Sequence, residues 1–161
     1  MSSEVEKSVE VSVPVRAAYN QWTQFEEFPK FMEGVKEVRQ VTDKTTHWVA
    51  EVGFKEKEWD ADITEQVPDQ KVAWRNTTGA PNSGVVTFEP LGADKTRVTV
   101  RMTYDPESFV EKVGDFLGVV SRRVEGDLER FKAFIEGRGH ETGGWRGEIR
   151  GGQVQSGGSG S

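Results

Sequence analysis

Phe109, Val113, Phe116, Leu117, Val120, Val124, Leu128, Phe131 and Ile135 recur at spacings of three and four, with Phe116 and Leu117 side by side. That spacing places nine apolar side chains on one face of a helix near the end of the chain. Asp105 is a good N-cap, Pro106 suits the first helical position and Glu107 favours the positive end of the dipole, so the helix is predicted to start there. Gly137 and Gly139 are its stop signals. About thirty residues of helix span roughly 45 Å. A helix of that length with one greasy face needs a broad apolar partner, because tertiary packing supplies most of a helix's stability.

The preceding chain offers a sheet. Val9, Val11 and Val13 alternate with Ser8, Glu10 and Ser12, a period of two that predicts a half-buried strand ended by Pro14. "PVRAAYNQW" and "FEEFPKFM" then predict two short helices, the second with Phe25, Phe28 and Met32 on one side. With Phe31 and Pro29 these residues form an aromatic cluster read as a plug at one end of the core, with a portal as the alternative. From Val35 to Tyr104 apolar and polar residues alternate, broken by the turn signals "TDKT", "VPDQK", "TTGAPNSG" and "LGADKT". This predicts about six more antiparallel strands, hence an α+β fold of about seven strands with the long helix over one face. Because the helix outruns a flat sheet of this size, the sheet is expected to curl around it. Residues 1–137 are expected to form one domain, and 138–161, ending in "GGQVQSGGSGS", a flexible glycine- and serine-rich tail.

Composition narrows the function classes. A net charge of −6 disfavours binding to phosphate backbones, which depends on cationic neutralisation, so no nucleic-acid partner is expected. Cysteine is absent and only His47 and His140 supply imidazole, so no metal or other cofactor is expected. The opening "MSSEVEKSVE" has no apolar run, so stable membrane insertion is not expected and a cytoplasmic location is. No strand-linked GxGxxG, P-loop, HExxH or GxSxG is present. A protein partner is left undefined by these features.

Strand parity assigns the faces. In "EWDADITEQV", Trp59, Ala61, Ile63 and Val67 fall on one side and Glu58, Asp60, Asp62, Thr64 and Gln66 on the other. Asp60 and Asp62 could be an acid/base pair, but nothing separates the pKa values of two solvated carboxylates, and a wet strand face is the preferred reading. The same parity turns Val72, Trp74, Val86, Phe88, Val98, Val100, Met102 and Tyr104 inward and Arg97, Thr99 and Arg101 outward. "THWVAEVGF" is ambiguous. One register buries Trp48, Ala50, Val52 and Phe54, and is preferred for the apolar area it buries; the other turns His47, Val49 and Glu51 inward. In that second register His47 and Glu51 become candidate acid/base groups.

A curved sheet closed by one helix leaves internal volume unless large side chains fill it. The candidate lining from the sheet is Trp48, Trp59, Ile63, Trp74, Phe88, Val100, Met102 and Tyr104, and from the helix Phe116 and Val120. Gly114 and Gly118, four apart in the helix, either allow close approach to the sheet or mark a segment that opens.

The stretches "VEVSVPVRAAYNQWTQFEEFPKFMEGVKEV", "EWDADITEQVPDQKVAWR", "SGVVTFEPL", "TRVTVRMTYDP" and "VEGDLERFKAFIEGR" resemble the START, polyketide cyclase and coenzyme Q-binding superfamily. The likeness is greatest to bacterial stand-alone members called cyclase/dehydrase. It implies the helix-grip fold and a ligand cavity between sheet and helix. Since the inward set is nearly all apolar, the expected function is binding of a hydrophobic small molecule such as a polyketide, quinone or lipid, with no catalytic residue. An aromatase/cyclase or dehydratase is the alternative the resemblance implies, with Tyr104, His47 or Glu51 moving protons. A protein-interaction module using the outer face of the sheet is a further one.

Overall fold

The computed structural model describes residues 3–32, 34–52, 55–79, 82–104, 116–138, 141–144, 148–150 and 152–155, with the backbone alone at 3, 52, 55, 104, 116–120 and 153–155. The strands are β1 (Ser3–Val11), β2 (Val35–Gln40), β3 (Thr45–Val52), β4 (Lys55–Val67), β5 (Lys71–Asn76), β6 (Asn82–Gly92) and β7 (Lys95–Tyr104). Helix α1 (Val15–Trp22) and a 3₁₀ segment (Phe25–Lys30) follow β1, and the long helix α2 (Phe116–Arg138) follows β7. The strands lie in the order β1–β7–β6–β5–β4–β3–β2, all antiparallel. This is the expected α+β helix-grip architecture, a curled antiparallel sheet with a C-terminal helix.

The helical stripe is buried where it is described: Val124, Leu128, Phe131 and Ile135 are all in the core. Phe109 and Val113, with Gly114, lie outside the described residues, as do the side chains of Phe116, Leu117 and Val120. At the other end of the core the cluster around Pro29 adopts a 3₁₀ turn rather than the α-helix its spacing suggested. A 3₁₀ period of three stacks Phe25, Phe28 and Phe31 on one side, and all three are buried. Trp22 joins these pieces. Its ring lies 5.4 Å from Phe28, 6.4 Å from Phe88 on β6 and 4.9 Å from Phe131 on α2.

The outer face is charged and cross-linked between strands. Arg97 on β7 reaches Glu10 on β1 at 3.3 Å and Glu89 on β6 at 3.1 Å, and Arg101 reaches Glu6 at 3.2 Å. Exposed pairs of this kind contribute little to stability and mainly keep the face wet and the register fixed. The acids of β4 lie on the same side: Asp62 accepts from Thr45 Oγ1 at 3.0 Å.

Two features differ from the sequence reading. A bulge in β4 between Ile63 and Glu65 breaks the parity, so Gln66 sits opposite Val72 on the inner face instead of outside. Gln66 is 1% exposed, and its amide has no hydrogen-bond partner among the described residues. The second concerns the expected flexible tail. Residues Glu148–Arg150 (β8) and Gln153–Gln155 (β9) form a hairpin whose Ile149 pairs with Gln66 beyond the end of β3 and is fully buried. Just before it, Asn20 donates to Glu141 at 3.0 Å and Gln21 to Thr142 Oγ1 at 3.0 Å. The glycines hid one apolar residue, Ile149, that covers an open strand edge. Residues 156–161 lie outside the described residues.

Replacing Trp22 by alanine removes the ring shared by four elements. The expected result is a loss of about 3–5 kcal/mol in denaturant-induced unfolding, the range for a large aromatic truncated in a core.

Candidate functional site

Register places the inner face in cross-strand rows, since directly paired residues of antiparallel strands share a side. One row runs Val5, Met102, Gly84, Trp74, Ile63. The next runs Lys7, Val100, Val86, Val72, Gln66. A third, nearer α1, runs Val9, Val98, Phe88. On the other flank Val38, Trp48 and Trp59 are paired in line.

Burial divides this surface. Toward α1 it is packed shut: Phe88 is buried against Tyr19 and Trp22, with ring centroids 5.5 and 6.4 Å away. Toward the start of α2 it is only partly covered, and Trp48, Trp59, Trp74 and Met102 are half-buried. Ile63 and Val100 between them are buried. The side chains of Tyr104, Phe116 and Val120 lie outside the described residues. Of the ten residues expected to line a cavity, four therefore form a half-open apolar wall and three floor residues lie beneath or beside it.

The tryptophans are held rigidly. Trp48 and Trp59 stack at 5.8 Å with their planes 10° apart, and Phe28 braces Trp48 at 5.8 Å. The Trp48 indole N–H donates to Thr46 Oγ1 at 2.9 Å, and that of Trp74 to Asn82 Oδ1 at 2.9 Å. Trp74 lies flat across its neighbouring strand because Gly84 has no side chain there. A Cβ at Gly84 would sit 2.5 Å from Trp74 Cη2 and 2.7 Å from the Arg101 carbonyl oxygen.

The orientation of β3 is settled by Trp48, which packs inward with Ala50, so His47, Val49 and Glu51 point to the outer face. His47 and Glu51 thus do not join the tryptophan wall as acid/base groups. His47 instead bridges two carboxylates on β4, Nδ1 to Asp60 Oδ1 at 2.6 Å and Nε2 to Glu58 Oε1 at 3.0 Å. The hydrogen bond to Asp60, then that to Glu58, raises its pKa above the ordinary imidazole value of 6.5. No group of three or more His, Cys, Asp or Glu side chains among the described residues is arranged to hold a metal ion.

Two clefts lie away from this wall. One of about 440 Å³ opens between the start of the 3₁₀ segment and the β2–β3 turn, with Glu26 and Asp43 on its rim. The other, about 270 Å³, is lined by Pro29–Met32 and Arg130. The sequence reading missed Lys7 on the inner face. The signal was present, since Val5, Lys7, Val9 and Val11 share one parity and only Lys7 is charged.

Residues 11–133 match the family described as polyketide cyclase/dehydrase and lipid transport. An uncharacterised 17.2 kDa protein of Streptomyces lincolnensis is 59% identical over 148 residues, covering 91% of this chain and 99% of that one. Among solved structures, DR_A0006 of Deinococcus radiodurans superposes with a TM-score of 0.66 at 29% identity, over 85% of this chain and 99% of its own. The Zhui aromatase/cyclase of Streptomyces sp. R1128 superposes with a TM-score of 0.73 at 16% identity, over 90% of this chain and all of its own. At that identity the likeness is one of fold.

Two outcomes follow from these contacts. Gly84→Ala is expected to displace Trp74 and lower stability by about 1–3 kcal/mol, the usual penalty of overpacking, with a red-shifted tryptophan emission reporting the displaced ring. His47 has a folded pKa raised above its unfolded value, so its contribution is complete below pH 6.5 and lost as pH rises through the folded value. Stability curves of the parent and His47→Gln are therefore expected to differ more at about pH 5.5 than at about pH 9.

Proposed function

The chain belongs to the polyketide cyclase/dehydrase and lipid transport family, and on that premise we propose that it binds a hydrophobic small molecule against its tryptophan wall. The observation that carries this reading is the half-buried state of Trp48, Trp59, Trp74 and Met102 on an inner face whose other end is packed shut. Large aromatic rings left partly uncovered on a concave surface lose free energy unless something apolar covers them, at about 25 cal/mol per Å². A ligand covering about 300 Å² of such surface would gain roughly 7 kcal/mol before the entropy of immobilisation is subtracted.

The chemistry on offer favours holding over reacting. Both indole N–H groups of Trp48 and Trp74 are already donated within the protein. His47 and Glu51 are on the opposite side of the sheet. A flat polycyclic polyketide, a quinone or a lipid chain suits rigid aromatic walls of this kind, because shape and dispersion rather than hydrogen bonds set the affinity.

Nile red, a neutral apolar dye, tests the reading directly. Saturable binding with a blue-shifted emission is expected, weakened about tenfold in Trp59→Ala, a loss consistent with an aromatic contact of 1–2 kcal/mol. Thr87→Ala on the outer face is the control and is expected to bind like the parent. Equal affinity of Trp59→Ala and the parent, or no saturable uptake, would sink the proposal; native mass spectrometry of the purified protein gives an independent search for a retained ligand.

A further inference from the structure

Lys7 interrupts the inner face. It lies opposite Val100 in an unbroken register, between Val5 and Val9 on its own strand. Its row is one step deeper than the row holding Trp74 and Met102, and one step short of the sealed row holding Phe88. Across these three rows it is the one charged residue that faces inward among the described residues. Its side chain is half-buried.

No hydrogen-bond or ion-pair partner of Lys7 is found among the described residues, which sets it apart from the cations on the outer face. Lys95, Arg97 and Arg101 each meet a carboxylate within 3.3 Å. The acids nearest in sequence, Glu4, Glu6 and Glu10, share the outward parity, and Glu6 is engaged by Arg101 and Glu10 by Arg97 with Lys95. What roofs Lys7 follows from two contacts that align α2 with β1. Lys132 Nζ donates to the Glu10 carbonyl at 2.9 Å, and the Ser12 N–H donates to Glu136 at 2.7 Å. Three residues back along the strand is about 10 Å, or about six or seven helical residues, which brings Lys7 level with the turn from Val124 to Leu128. Both of these side chains are buried and apolar. The Lys7 stem stands on this apolar side, and with no carboxylate of the described residues on its ammonium that charge is open to an arriving anion.

We propose that the tryptophan wall and Lys7 form one site for an amphipathic anion, an apolar molecule that ends in a carboxylate. The inference rests on the ligand-binding reading above and specifies the ligand's polar end. Trp74 and the β1 strand are three interstrand spacings apart, about 14 Å. The lysine stem spans part of that distance, and a ring system or short chain whose acid faces the ammonium and whose body lies on Trp74 and Met102 matches the rest. A charge-assisted hydrogen bond in such partly dry surroundings is stronger than a neutral one and discriminates an acid from its ester.

Pyrenebutyrate and its methyl ester make a matched pair, with energy transfer from tryptophan to pyrene as the readout. The parent protein is expected to bind the acid at least about tenfold more tightly than the ester. Lys7→Met is expected to abolish that preference while keeping the affinity for the ester, and Lys7→Arg to retain it. Thermal unfolding of each variant confirms that it folds. Equal binding of acid and ester by the parent, or a preference that survives in Lys7→Met, would overturn the anion site and leave the hydrophobic-ligand reading standing. Failure of the parent to bind either probe would overturn both.

Discussion

One ring, Trp22, holds the halves of this protein together. A sheet with a single apolar face has to be covered, and the cover comes from three separate pieces of chain: α1, the 3₁₀ segment and α2. Trp22 touches Phe28 and Phe31 of the second piece, Phe131 of the third and Phe88 of the sheet. The edge-to-face contacts with Phe88 and Phe131 add directional preference to area burial, so they fix how the helix sits as well as that it sits. A chain with only 34% hydrophobic residues achieves this by using large ones. The consequence is uneven filling. Aromatic mass gathered at one end seals that end, and the inner face at the other end keeps its tryptophans partly uncovered.

Much of this was legible because period-two alternation and three-four spacing are direct consequences of backbone geometry. Parity located the outer acids of β4, the inward Trp59, Trp74, Phe88 and Val100, and the outward Arg97 and Arg101. For β3, apolar area decided correctly between Trp48 and His47. Parity failed where the backbone departs from regularity. The bulge after Ile63 reverses the faces of β4, and no residue there announces it, so parity alone places Gln66 on the outer face. The hairpin after α2 was hidden for a different reason. Its composition is that of a linker, and the edge of β4 that it covers exists only once β3 has ended and the fold has formed.

The distribution of charge follows the same division. On the outer face most strand-borne ion pairs cross between strands, Glu10 to Arg97 to Glu89 between neighbours and Lys36 to Glu56 across β3. His47 is part of that pattern, held between Asp60 and Glu58 where a carboxylate on each side favours the imidazolium. These contacts are local, exposed and mutually satisfying. They give the sheet a wet exterior and contribute little recognition chemistry of their own.

The inner face has the opposite logic. The indole N–H groups of Trp48 and Trp74 are satisfied by Thr46 and Asn82, and the Thr46 hydroxyl donates in turn to the Ala61 carbonyl at 3.2 Å. Rings tied in this way need no reorganisation to receive an apolar body, and the entropy of ordering them has already been spent in folding. The same satisfaction removes them as donors to a ligand. Any polar group brought to this wall must therefore be met by a residue that has no internal partner, and on the rows from Trp74 to Phe88 the charged residue in that condition is Lys7. Rigid aromatic walls and one unsatisfied cation beside them complement each other: the first fix where an apolar ligand lies, and the second fixes which way round it lies.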